Sequence, residues 1–166
     1  MIFAKIIKEL LKILQTDVSP NQVAFGAALG VFLGLVPGFL MKLIFFVLIL
    51  ILRVNIGAAF VTWTIFGILS FGLDPLADKI GFFVLNADSL VPLWTYLFNV
   101  AIVPFTRFNN SVVMGNITLA ILFFLPVFFG ARIFISYYRT HWRDKVAKWR
   151  ITKLLTAGIL SHTLLK

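Results

Sequence analysis

Three cations stand where a strongly apolar chain bends or begins again: Lys42, Arg53 and Arg107. A charge inside a hydrophobic run costs about 2.5–3.5 kcal/mol even on the lenient insertion scale, so it faces a partner, a cavity or the interface. Lys42 and Arg53 are eleven residues apart, which returns to nearly the same helical face about 16 Å along the axis. Arg107 adds a third group. Converging cations, with helix N-termini beside them, can hold an anionic lipid phosphate by charge-assisted hydrogen bonds. The plainer alternative is that each long side chain snorkels to the headgroups. The spacing sets the expectation of one polar cleft shared by Lys42, Arg53 and Arg107.

Other chemistry is thin. The sequence has no cysteine, which excludes disulfides, thiolate nucleophiles and Cys-ligated metals. Imidazole comes only from His141 and His162, and no acid recurs around them at ligand spacing, so no metal site is expected. Asp74 and Asp78 are one helical turn apart but flank Pro75, and they read as loop residues that solvate the surface. Asp17 reads as a turn residue. No acid, base and nucleophile share a workable spacing. The expectation is a protein that is not an enzyme and carries no cofactor.

The elements that must position these residues follow from composition. Hydrophobic residues make up 61% of the chain and charged residues 13%, with a mean hydropathy of +1.03, far outside the soluble range. This indicates an integral membrane protein. A length of 166 residues suits one domain with a handful of membrane segments. The net charge of +9 would suggest nucleic acid in a soluble protein. Here it gathers at the ends, in Lys5, Lys8 and Lys12 and then from Arg139 to Lys153, so no nucleic acid is expected and both termini are assigned to the cytoplasmic side.

Residues 1–15 carry Lys5, Lys8, Glu9 and Lys12 on one narrow helical face, as an amphipathic helix in the interface does. Ser19 before Pro20 suits an N-cap and a first helical position. Residues 20–52 read as a broken helical pair, interrupted at Pro37, Gly38 and Lys42. Each half is shorter than a bilayer core, so the pair either enters and leaves on one side as a re-entrant hairpin or crosses obliquely. Gly26, Gly30, Gly34 and Gly38 recur every fourth residue and form a stripe that admits another backbone closely. That stripe serves helix packing alone or supports a buried broken-helix site.

Residues 54–73 form a first full span, and the stretch from Asp74 to Asp88 forms an acidic loop on the opposite side. Residues 80–106, interrupted by Asn86, Pro92 and Asn99, read as a second broken hairpin. Residues 111–138 form a second span, and residues 139–166 a basic interfacial tail with Trp142 and Trp149. Hairpin, span, hairpin, span is the order of an inverted repeat. The echo of Arg53-Val-Asn55 in Arg107-Phe-Asn109 supports that reading.

Pro20, Ala24, Gly26, Gly30, Phe32, Gly34 and Pro37, followed by Arg53-Val-Asn55, Ala58 and Asp74-Pro75, resemble the bacterial membrane family known as domain of unknown function twenty sixty-two. The family's usual Asn-Pro is Asp74-Pro75 here. The stretch Arg107-Phe-Asn-Asn-Ser-Val-Val-Met-Gly115 is similar to an uncharacterised branch encoded beside a larger partner in bacteria with outer membranes. The resemblance implies a bacterial inner membrane and a larger envelope protein as partner. It also implies kinship with domains fused to glycosyltransferases that use polyprenyl-phosphate lipids.

Two functions are therefore expected to compete. One is the handling of an anionic lipid phosphate, as a translocase or as an accessory to envelope lipid transport. The other is a non-transporting anchor or assembly subunit for a neighbouring envelope protein; a homo-oligomer stays open. A polar cavity lined by Lys42 favours the first, and a closed, dry interior the second.

Overall fold

The computed structural model describes residues 18–141. The amphipathic helix expected over residues 1–15 and the tail from 142 onward lie outside those residues. Helix α1, Pro20–Leu35, begins as Ser19-Pro20 dictates: the Ser19 hydroxyl accepts from the Gln22 N–H, and proline occupies the first turn, where its missing donor costs nothing. Helix α2, Phe39–Ile51, follows the break at residues 36–38. The long helices α3, Ile56–Leu85, and α5, Ser111–His141, are both long and apolar enough to cross a membrane. Between them lie two 3₁₀ turns, Asp88–Leu90 and Val103–Thr106, and the short helix α4, Val91–Phe98.

Helix α1 is the axis of the bundle. Val23, Ala24, Ala28, Val31 and Leu33 are each at most 2% exposed, and α1 packs against α3 and α5 along its length. Its small residues allow this. The N–H of Asn55 donates to the Gln22 carbonyl, Gly26 and Gly30 rest on the backbones of Asn55 and Ala59, and Gly34 meets Phe66 and Gly67. Residue numbers rise together along this contact, so α1 and α3 are parallel. Helix α5 is antiparallel to both: Ile135 and Tyr138 share a cluster with Val23 and Ala27, whereas Val113 and Leu119 share one with Leu35 and Val36.

The bundle thus has two ends. The near end holds the starts of α1 and α3 and the end of α5. The far end holds the turn between α1 and α2, the end of α3, α4 and the start of α5. Phe32 stacks on Phe45 with ring centroids 4.4 Å apart, which folds α2 back along α1 as a helical hairpin. The outer faces are apolar, with Phe71, Phe83 and Phe105 each at least 75% exposed.

Three sequence expectations change here. The acidic loop after residue 73 is part of α3, which runs on through Pro75 to Leu85. A proline inside a helix removes one hydrogen bond and costs about 3 kcal/mol, but its ring faces outward and the flanking turns are held by α5. The second broken hairpin over residues 80–106 is therefore absent: residues 80–85 finish α3, and the remainder is one eight-residue helix between 3₁₀ turns. With no counterpart of the α1–α2 hairpin, the inverted repeat does not extend over the two halves.

Candidate functional site

The far end carries most of the polar chemistry. Helix α2 starts at Gly38, whose φ of +100° is a left-handed conformation that favours glycine, and a side chain there would meet nothing within 4 Å. Gly38 thus serves the turn, whereas Gly26, Gly30 and Gly34 serve contact. Pro37 precedes it in the break. No side chain caps the first turn of α2, so its leading N–H groups have no side-chain acceptor and the positive end of the helix dipole stays open. Lys42 lies in that first turn and is half-buried.

Arg53 does not join it. It follows the far-pointing hairpin back to the near end, just past Leu52, the C-cap of α2. At helical rise the two cations are about 16 Å apart along that straight helix. The three cations expected to share one cleft therefore do not gather at one end of the bundle: same-face periodicity leaves Lys42 and Arg53 at opposite ends of α2. Arg107 does lie at the far end, ahead of α5, and the 3₁₀ turn Val103–Thr106 immediately before it packs on α2.

Arg53 and Arg107 nevertheless share a local device. They are the two non-glycine residues with positive φ among the described residues, at 51° and 58°. Each is followed by a buried apolar residue, Val54 or Phe108, and an asparagine two or three positions beyond the arginine caps a long helix. The Asn55 side chain accepts from the Ala58 N–H at 2.8 Å, and the Asn110 side chain accepts from the Val113 N–H at 3.1 Å. The echo in sequence is therefore a repeated helix-start motif at opposite ends of the bundle. The second cap is Asn110, one residue beyond the Asn109 of the echo.

A second backbone contact was not expected. Helices α3 and α5 cross where Ala77 and Gly81 face Gly115 and Ser111, so closely that a Cβ on Gly115 would lie 2.8 Å from the Ala77 Cα and nearer still to its carbonyl. The spacings Ala-x-x-x-Gly and Ser-x-x-x-Gly are the available sequence signal. Asp74 and Asp78 flank this crossing and bond across it. The Asn116 amide donates to Asp74 at 3.0 Å and the Ser111 hydroxyl donates to Asp78. Neither acid is a loop residue, and both have roles that the proline beside them concealed.

Beside the crossing, Trp94 ties α4 to the end of α3 by donating to the Val84 carbonyl at 3.2 Å. An open cleft of about 370 Å³ lies there, walled by Trp94, Phe98 and Phe108 and edged by the amides of Asn99 and Asn109. Among the described residues no three His, Cys, Asp or Glu side chains gather as a metal centre.

The charges divide between the ends. The far end sets Lys42, Lys79 and Arg107 against Asp74, Asp78 and Asp88. The near end holds Arg53, Arg132 and Arg139 and, among the described residues, no carboxylate.

These features define a helical bundle with two helices of spanning length and a short helical hairpin threaded between them. The chain belongs to the family described as "Uncharacterized protein conserved in bacteria (DUF2062)", whose model matches residues 4–143. An uncharacterised protein of Treponema pallidum (strain Nichols) is 28% identical over 138 residues, covering 82% of this chain and 85% of its own length. No solved structure matches the chain significantly.

Proposed function

We propose that the chain is a bacterial inner-membrane protein that holds an anionic lipid phosphate at its far end, as an accessory to envelope lipid transport. The observation that carries this reading is the packing of the Val103–Thr106 turn on α2. It brings Arg107 to the end of the bundle that carries Lys42 and the uncapped start of α2. Two cations and free helix N–H groups suit a phosphate oxygen cluster. The cleft between Trp94 and Phe108 offers amphipathic walls for the rest of a headgroup.

A holding role suits the geometry better than translocation. Between Lys42 and Arg53, α2 exposes Leu43, Ile44, Val47, Leu50 and Ile51, a face that offers a headgroup no polar path from one end to the other. The basic residues at the two ends of the sequence, Lys5, Lys8 and Lys12 and then Arg139 to Lys153, set the orientation: the near end, where α1 starts and α5 finishes, is cytoplasmic by the positive-inside rule, and the α1–α2 hairpin is re-entrant from that side. The anchor reading is favoured by one observation, the tight interior around α1. It requires no lipid selectivity at the far end.

Lipid mass spectrometry of the purified full chain separates the two. Lys42→Gln and Arg107→Gln should each reduce retained anionic lipid several-fold, whereas Arg53→Gln should not. Equal loss from all three variants points to nonspecific surface charge, and no loss from any of them leaves the anchor. Reporter fusions at Gln15, Lys79 and Lys166 test the orientation; a periplasmic signal at Lys166 overturns it.

A further inference from the structure

The contact between α3 and α5 contains a polar group that the fold leaves unsatisfied. Asn116 is 0% exposed, its Nδ2 donates to Asp74, and its Oδ1 has no hydrogen-bond partner. A buried amide oxygen without a donor is unfavourable by about 1–3 kcal/mol and calls for a water, an ion or a missing partner. The carboxylate it adjoins has the complementary need. Asp74 is half-buried at the end of an uncharged run of eighteen residues, 56–73, and among the described residues no Lys or Arg forms an ion pair with it. A carboxylate in such a place is costly unless a positive charge compensates it.

We propose that the α3–α5 crossing holds a hard monovalent cation, such as sodium, between the Asp74 carboxylate and Asn116 Oδ1. The donors are all oxygens, which selects a hard cation and disfavours zinc, copper or iron. The charge selects a monovalent one. A single carboxylate faces the amide, because Asp78 lies one turn further toward the far end, is exposed and is engaged by the Ser111 hydroxyl. One carboxylate and one neutral amide carry a charge of −1, which a monovalent ion cancels and a divalent ion overshoots. Water completes the shell on the open side of Asp74. The ion ties α3 to α5 beside Gly81 and Gly115, where the backbones are closest, so cation occupancy tightens the crossing. This site is independent of the lipid-phosphate reading, and neither Lys42 nor Arg107 takes part.

The test uses the purified full chain in detergent, with sodium, potassium or N-methyl-glucamine chloride at constant ionic strength. Sodium should raise the unfolding temperature saturably by about 4 °C or more, as ligand binding to the native state does, and N-methyl-glucamine should not. Asp74→Asn, which keeps the size and an acceptor for Asn116, should abolish the difference; Asp78→Asn should retain it. Should Asp74→Asn fail to fold, saturable broadening of the sodium NMR line by the wild-type chain, lost in Asn116→Ala, decides instead. Equal unfolding temperatures in all three salts, or a full sodium effect in Asp74→Asn, overturn the proposal. A fourth arm with magnesium chloride tests the charge: a shift with magnesium alone overturns the monovalent assignment.

Discussion

Replacing Gly34 by alanine adds one methyl group at the contact between α1 and α3. The new Cβ would stand 2.6 Å from the Phe66 Cβ, 2.9 Å from the Gly67 nitrogen and 3.0 Å from the Phe66 carbonyl carbon. Ordinary contact begins at 3.4 Å, so the helices must part locally by 3.4 − 2.6 = 0.8 Å. None of these atoms is the far end of a flexible side chain. Helix α1 cannot withdraw either, because Val31 and Leu33 beside Gly34 are buried against the rest of the bundle. Overpacking of this kind costs about 1–3 kcal/mol. Against it stands the better helix propensity of alanine, about 1 kcal/mol in a helix interior and less in the last turn. Gly72→Ala isolates that second effect, since a Cβ at Gly72 meets nothing within 4 Å. The two variants should differ by about 2 kcal/mol, or about 4–8 °C in unfolding temperature for a chain of this size. Fluorescence-detected thermal unfolding in one detergent measures both. A Gly34→Ala protein that unfolds at or above the temperature of Gly72→Ala refutes the contact as the reason for glycine.

Gly115→Ala should be more damaging than Gly34→Ala, because its Cβ would press on the Ala77 backbone within 2.8 Å of the Cα; yield of folded protein is the readout. Gly38→Ala should lower stability by about 1 kcal/mol or more through its left-handed φ, although the space around it is open, and the same thermal assay applies. Asn55→Ala removes the cap on α3 and should cost about 1 kcal/mol, with faster amide exchange confined to the first turn of that helix. Trp94→Phe loses the bond to the Val84 carbonyl and should speed proteolysis within residues 86–110 while leaving the unfolding temperature of the long helices nearly unchanged.

Composition and pattern alone determined that the chain is helical, that two helices are long and apolar enough to cross a membrane, and that the first apolar stretch breaks at Pro37-Gly38. These are local properties: hydropathy needs only a window of residues, and proline and glycine act on their own backbone. Pro75 misled for the same reason. Its local cost argues for a loop, and only the bonds from Ser111 and Asn116 to Asp78 and Asp74, made from a helix more than thirty residues away, show what occupies its flanks. The glycine stripe announced a close contact without naming its partner, and Gly81 with Gly115 was hidden among residues of ordinary appearance. The cations divided similarly. Helical periodicity placed Lys42 and Arg53 on one face, but the direction in which α2 returns sends them to opposite ends, and the 3₁₀ turn that packs on α2 is the one just before Arg107. Spacing in sequence reports which side of a helix a residue occupies; which helices meet, and in which direction each runs, depends on contacts between distant segments that no local window contains.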